Sequence, residues 1–242
     1  MSSILVELRQ YTLHPEGRDR LIDIFEEHFI EPQEELGISV LGTFTDQGDD
    51  DRFVWLRGFP DLETRGRSLP AFYGGPVWRE HRDRANATMI DSDNVFLLEP
   101  APGSRPLESW QRDRPAFGAR TTSAGWGYVH AFVLGSGGHD ELAQAAADAR
   151  EALDRAFGVP VSLLVSSDHE NNFPPLPVRG DRAIVAFAMF EDESSRAAAV
   201  QRVAEDAGVR ELRVSLGTQL TDELTVMLRP TARSAIRTPL VE

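Results

Sequence analysis

The chain has 242 residues, and its 25 Lys and Arg, every one an arginine, stand against 39 Asp and Glu to give a formal charge of −14. Without lysine there is no Schiff-base, pyridoxal-phosphate or P-loop lysine chemistry, and without cysteine there is no thiolate catalysis, disulfide or iron–sulfur ligation by the chain itself. An acidic balance repels nucleic acid and anionic lipid, and the longest apolar run, Ala183 to Phe190, falls far short of the roughly 20 residues of a membrane helix. The expectation is a cytoplasmic protein with a small-molecule ligand, no nucleic-acid or membrane partner, and room for a homo-oligomer.

Ile4 to Leu13 alternates in character and reads as a strand. Pro15 sits where a first helical residue belongs, and Leu21, Ile22, Phe25, Phe29 and Leu36 then form one apolar stripe, so a helix is predicted up to Gly37. Ile38 to Thr45 resumes an extended pattern, turning through Gln47-Gly48-Asp49 into a third strand, Phe53 to Phe59. Asp61 is the N-cap of a helical region that Pro70, Gly74, Gly75 and Pro76 interrupt. A helix restarts from Val77 to about Met89, and Val95 to Glu99 is the fourth strand. A stretch rich in Pro, Gly, Ser and Arg follows and reads as a linker. Beyond it come a strand, Trp126 to Leu134, and a helix with Leu142, Ala146, Ala149 and Leu153 on one side. Strands Val161 to Ser166 and Ala183 to Phe190, a helix from about Asp192 and a strand Leu224 to Leu228 complete the chain.

The two halves repeat. An offset of 121 carries Leu36-Gly37-Ile38-Ser39-Val40 onto Phe157-Gly158-Val159-Pro160-Val161, and an offset of 130 carries Leu97-Leu98-Glu99-Pro100 onto Met227-Leu228-Arg229-Pro230. One nine-residue insertion accounts for the difference. It lies between the second and third strands of the second copy, where Asn171, Asn172, Pro174, Pro175 and Pro177 supply loop chemistry. The predicted fold is α+β: two tandem ferredoxin-like βαββαβ repeats, at 1–100 and 125–230, whose antiparallel sheets pack into an α/β barrel. Residues 101–124 are the linker and 231–242 a C-terminal tail.

Glu7-Leu8-Arg9-Gln10-Tyr11-Thr12-Leu13, Val40-Leu41-Gly42-Thr43-Phe44 and Phe53-Val54-Trp55-Leu56-Arg57-Gly58-Phe59 resemble the NIPSNAP family of the dimeric α/β-barrel superfamily. So do Phe72-Tyr73-Gly74-Gly75-Pro76-Val77-Trp78 and Phe96-Leu97-Leu98-Glu99-Pro100. In the second copy Tyr128, His130 and Phe132 replace the Glu, Arg and Tyr of the first strand. The resemblance implies the barrel and, from the wider superfamily, cofactor-independent monooxygenases, lyases or isomerases of small aromatic or polyketide compounds, alongside haem enzymes.

Strand alternation puts Glu7, Arg9 and Tyr11 on one face and Val6 and Leu8 on the other. With the apolar pair assigned to the helices, Glu7, Arg9 and Tyr11 are expected to face the opposite sheet, beside Trp55 and Arg57 and across from Tyr128, His130 and Phe132. One carboxylate cannot neutralise two guanidiniums, so an anionic ligand would complete the set; the alternative is an internal ion pair that fixes strand register. In the first case Glu7, Arg9, Trp55 and Arg57 bind, while Tyr11, Tyr128 and His130 are the catalytic candidates for moving protons. Trp78 and His81, three residues apart, would line a cleft under a lid of Tyr73 and Gly74-Gly75, or else Trp78 is a core anchor and His81, like His28, is solvated. No His-x-x-x-His or His-Glu-x-x-His occurs, and neither Asp91-Ser92-Asp93-Asn94 nor Gly135-Ser136-Gly137-Gly138 completes a calcium or dinucleotide loop. No metal and no cofactor are therefore expected, with haem on His81 or His130 the alternative.

The rival to ligand binding is a non-catalytic protein-interaction module. A closed cavity of roughly 300 Å³ or more favours the ligand. A filled barrel with a paired Glu7 and an exposed apolar patch favours the module.

Overall fold

A computed structural model describes residues 5–240, so Ile4 of the first predicted strand lies outside the described residues. In chain order it has β1 (Leu5–Leu13), α1 (Gly17–His28), α2 (Ile30–Glu35), β2 (Ser39–Asp46), β3 (Arg52–Phe59), α3 (Leu62–Tyr73), α4 (Pro76–Asn86) and β4 (Met89–Pro100). These are followed by β5 (Trp126–Leu134), α5 (His139–Phe157), β6 (Ser162–Ser166), β7 (Arg182–Phe190), α6 (Glu193–Glu205), α7 (Ala207–Leu216) and β8 (Leu220–Pro230).

The single helix expected up to Gly37 is two. Pro32 has no N–H to donate and its ring crowds the carbonyl of His28, so the helix ends there and restarts at Ile30. Asp61 caps α3 through its side chain, which accepts from Thr64 N at 2.6 Å. That helix runs through Pro70 and stops only at Gly74-Gly75. Both closing strands start earlier than hydropathy suggests. Met89 ends no helix but opens β4, and β8 begins at Leu220, because backbone pairing to Leu13 and Leu134 holds residues that bury little side chain.

The eight strands close into one antiparallel barrel in the order β1-β3-β2-β8-β5-β7-β6-β4. Within each group of four the ladders run from four residue pairs between β6 and β7 to nine between β5 and β7, Trp126↔Phe190 to Leu134↔Arg182. The two seams between groups are short, Phe44–Asp46 against Leu228–Pro230 and Leu98–Pro100 against Leu164–Ser166.

Register fixes which residues share a face, and it reverses the orientation expected for the polar triad. Leu8 pairs with Leu56 and Phe96, and Val6 with Leu98; these join the cluster that reaches Leu164, Phe187 and Val226 across the barrel. Tyr11 instead packs with Phe25, Phe29 and Phe72 of α1 to α3, and Tyr128 stacks on Phe157 of α5 at 5.1 Å. Glu7, Arg9 and Tyr11 therefore face the helices, as do Tyr128, His130 and Phe132, and none faces an opposing sheet. The physical reason is the filling of a small barrel. A lumen closed by eight strands offers buried charges no partner, so it takes the uncharged face, with Val6, Leu8 and Gln10 of β1, whereas a helix layer can bring its own polar groups.

Residues 101–124 are not a mere tether. A 3₁₀ turn, Leu107–Trp110, inserts Trp110 edge-on against Phe187 at 5.7 Å, with its indole donating to Ser162 Oγ at 2.8 Å. The predicted tail is also built in: Thr231 N donates to Thr43 O, Ile236 N to Leu41 O, and Gln111 bridges to Ile236.

Candidate functional site

β1 and β3 lie side by side, and pairs such as Glu7↔Arg57 and Arg9↔Trp55 bring four of the predicted site residues into one patch under α1 to α4. Glu7 is its centre. Its Oε2 accepts from Arg9 Nη1 at 2.6 Å and from Arg57 Nε at 2.7 Å, and its Oε1 accepts from Arg65 Nε of α3 at 2.8 Å. All four groups are fully buried, at 0% exposure. Burial alone would push the Glu7 carboxyl up; the guanidiniums of Arg57, Arg9 and Arg65 outweigh it and hold the group far below the usual carboxylate range. Three guanidinium charges against one carboxylate leave an excess of two in a dry layer, and among the described residues no second carboxylate contacts them.

Neutral oxygens take part of the load. Arg57 Nη1 reaches Gln33 Oε1 at 3.5 Å and Tyr73 OH at 3.3 Å, and Arg9 Nε donates to Tyr11 OH at 3.1 Å. Arg65 Nη1 donates to the side-chain oxygens of Asn171 and Asn172 at 3.0 and 2.6 Å. These asparagines belong to the loop between β6 and β7, which folds over α3 and stacks Phe173 on Tyr73 at 5.9 Å. Two donors stay without hydrogen-bond partners, Arg65 Nη2 and Trp55 Nε1. A third, Arg57 Nη2, lies 2.7 Å from Glu7 Oε2 in charge contact but without hydrogen-bond geometry.

Beside this cluster is a cavity of about 30 Å³ walled by Tyr11, Phe25, Phe29, Gln33, Trp55, Phe72, Tyr73 and Trp78. Trp55 also lies within cation–π range of both Arg9 (5.6 Å) and Arg57 (5.1 Å). Trp78 and Tyr73 line this cavity and also pack against the buried aromatic cluster beneath it. His81 stacks on His28 at 3.7 Å with rings nearly parallel, so neither is simply solvated. By volume the cavity is an order of magnitude below the roughly 300 Å³ expected of a preformed ligand site. The barrel is filled and Glu7 is paired, but the exposed apolar residues Leu36, Ile90, Phe117 and Val214 are scattered singly and make no patch. The much larger depression, about 610 Å³ between α5 and α7, is open and contains none of the predicted site residues.

Tyr128 and His130 do not join this site. β5 lies diametrically opposite β1 in the barrel, and the two form a separate chain under α5 to α7. Tyr128 OH and His130 Nδ1 are 2.8 Å apart, His130 Nε2 and Glu223 Oε2 are 2.6 Å apart, and Arg213 Nε donates to Glu223 Oε1 at 2.7 Å. Glu223, held down to about 2 from its usual 4.5 by the His130 hydrogen bond and by Arg213 against the opposing effect of burial, is the acceptor, which makes His130 Nε2 the protonated nitrogen and leaves Nδ1 for the tyrosine. Burial, with the Glu223 charge nearby, pushes the Tyr128 phenol up. With both ring nitrogens engaged, His130 does not fit an axial haem ligand. Because the folded carboxyl of Glu223 is depressed, its contribution to stability is whole above pH 4.5 and is lost as pH falls toward about 2. The Glu223→Gln variant is expected to be less stable than the parent at neutral pH, with the gap closing on acidification; thermal melts from pH 6 to 3 test this, and a gap that stays constant would contradict it.

Arg65, Gln33 and Glu223 were not foreseen. Arg65 carried a signal, since it falls on the same stripe of α3 as Thr64, Ser68, Leu69 and Phe72, all buried. Glu223 lay hidden because its strand starts before the apolar run. Among the described residues no group of three or more His, Asp or Glu side chains is placed to hold a metal, and no helix is long and apolar enough to cross a membrane.

Comparison with known proteins bears mainly on the first half. The NIPSNAP family profile matches residues 6–105. A NIPSNAP-like domain protein from Burkholderia xenovorans is 30% identical over 44% of this chain and 92% of its own, with a TM-score of 0.40. Over the whole length the fold is shared with a candidate monooxygenase from Lactobacillus acidophilus, at 9% identity, 99% coverage of both chains and a TM-score of 0.57. An anthrone oxidase-like protein gives 11% identity, coverage of 100% of this chain and 99% of its own, and the same score of 0.57. At such identities the likeness is one of fold alone. No curated protein matches the chain.

Proposed function

Starting from the fact that this chain belongs to the NIPSNAP family, we propose that it binds a small organic molecule, carboxylated or aromatic, in the cavity between β1, β3 and α1 to α4. The observation that carries this reading is the unbalanced charge at Glu7: three buried guanidiniums, one carboxylate, and an adjoining cavity whose lining still has hydrogen-bond donors to offer. An internal ion pair would need one arginine, not three, and would leave no unpaired donors in a layer where each costs about 1–3 kcal/mol.

The element orders of 5–100 and 126–230 support reading the barrel as two ferredoxin-like repeats, β4-β1-β3-β2 and β6-β7-β5-β8, of which only the first keeps the charged site. We assign no cofactor to it. Turnover of the monooxygenase, lyase or isomerase type would then use the chain's own acids, with Tyr11 and Tyr73 at the cavity and the Tyr128–His130 pair outside it. Burial raises the Tyr11 phenol, which keeps it protonated as a donor. We place the protein in the cytoplasm, without nucleic-acid or membrane partners. Since the closed barrel offers no free sheet edge, any homo-oligomer would pack through its helices.

Native mass spectrometry of protein purified from its own host tests the reading. The expected spectrum contains a bound organic molecule that is lost in the Trp78→Ala variant, which opens the cavity wall without touching the Glu7 cluster. A spectrum of bare protein, together with no thermal shift from any carboxylate or aromatic compound in a panel, would favour the interaction module.

A further inference from the structure

The cavity has an unusual chemical bias, because its free polar hydrogens outnumber its free acceptors. Trp55 Nε1 is buried with no acceptor. The hydroxyls of Tyr11 and Tyr73 each accept from an arginine, Arg9 Nε and Arg57 Nη1, which leaves each O–H hydrogen without an acceptor among the described residues. Gln33, the remaining polar wall residue, donates to Phe29 O and spends its oxygen on Arg57. So three residues that line the space, Tyr11, Tyr73 and Trp55, each carry a polar hydrogen without an acceptor, backed through the two phenols by the guanidinium excess. An apolar lining whose free polar groups are donors, under positive potential, suits an oxygen that accepts several hydrogen bonds and carries negative charge.

Volume narrows the choice further. A space of about 30 Å³ holds roughly two water molecules, which matches the bulk of a carboxylate group better than that of an aromatic ring. Resting on the small-molecule reading above, we infer that the recognised group is a carboxylate, held by the hydrogen-bond donors Tyr11 OH, Tyr73 OH and Trp55 Nε1, with Arg9 and Arg57 orienting the two phenols. The ligand is a short-chain monocarboxylate, or a longer acid whose body displaces the Asn171–Phe173 loop from Tyr73 and Arg65.

Acetate and formate are the probes, titrated into the full-length protein at neutral pH and at ionic strength held constant with sodium chloride, with acetamide as the neutral isostere. Thermal shift and 13C-acetate line broadening are read together. The expected result is a rise in melting temperature with acetate and formate, none with acetamide, and a roughly tenfold or greater loss of acetate affinity in Trp55→Phe and in Tyr73→Phe, each of which keeps its ring and loses one donor. Equal stabilisation by acetamide would overturn the carboxylate while leaving a small-molecule pocket in place. Equal stabilisation by chloride alone, or affinity unchanged in both variants, would overturn the assignment of these donors. Failure of every probe together with a bare native mass spectrum would remove the pocket as well.

Discussion

Replacing Glu7 by glutamine is expected to cost about 3–5 kcal/mol of folding free energy, the range for a buried ion pair deprived of one partner. The variant keeps side-chain volume, so the loss is electrostatic. Three guanidiniums would remain fully buried with no counter-charge, and the glutamine amide would present hydrogens to the donors that Oε1 and Oε2 now satisfy. Because the excess charge does the damage, Glu7→Gln combined with Arg65→Met is expected to be more stable than Glu7→Gln alone, with a coupling of about 1–3 kcal/mol. Urea denaturation of the parent, both single variants and the double variant completes the cycle. A Glu7→Gln protein within about 1 kcal/mol of the parent would show that the arginines do not depend on this carboxylate. The pH dependence has a definite sign: a carboxyl depressed in the folded state contributes fully above its ordinary value of 4.5, and the contribution erodes as pH falls below it.

Trp110→Ala is expected to be comparably severe, at about 3–5 kcal/mol, the usual cost of emptying a large buried aromatic site. The indole is 1% exposed, meets Phe187 edge-on, and satisfies both itself and the Ser162 hydroxyl. Its removal would leave a void at the barrel core and an unpartnered serine. Trp110→Phe separates the two effects: it should recover most of the packing and leave a deficit of about 1 kcal/mol from the lost hydrogen bond. Calorimetry is the direct measurement. Were residues 101–124 only a connector, alanine at this position would change stability by no more than about 0.5 kcal/mol.

These two residues mark where the sequence could and could not be read. The alternation of β1 correctly grouped Glu7, Arg9 and Tyr11, and register confirmed Trp55 and Arg57 as their neighbours. The side they face was misjudged because Val6 and Leu8 are compatible with either a helix layer or a lumen. Only closure of all eight strands, a property of the whole chain, decides that the lumen is the drier of the two. The third arginine was visible as a charge on the buried stripe of α3, yet its partner was 58 residues away. Nothing local in Leu107–Trp110 distinguishes a plug from a tether, since composition rich in Pro and Ser describes a bend equally well in either role. Similarly, the sequence offset that aligns Tyr128 and His130 with Glu7 and Arg9 does not bring the two pairs together, because β5 lies opposite β1 in the closed ring.

The short seams have their own consequence. With three residue pairs on each side, the two groups of strands are joined mainly by the apolar cluster packed between them in the lumen. Here a covalent connection makes ring closure unimolecular, at an effective local concentration in the millimolar range. Beneath their helices the two arcs carry different chemistry, an arginine nest about Glu7 in one and a tyrosine–histidine–glutamate wire in the other.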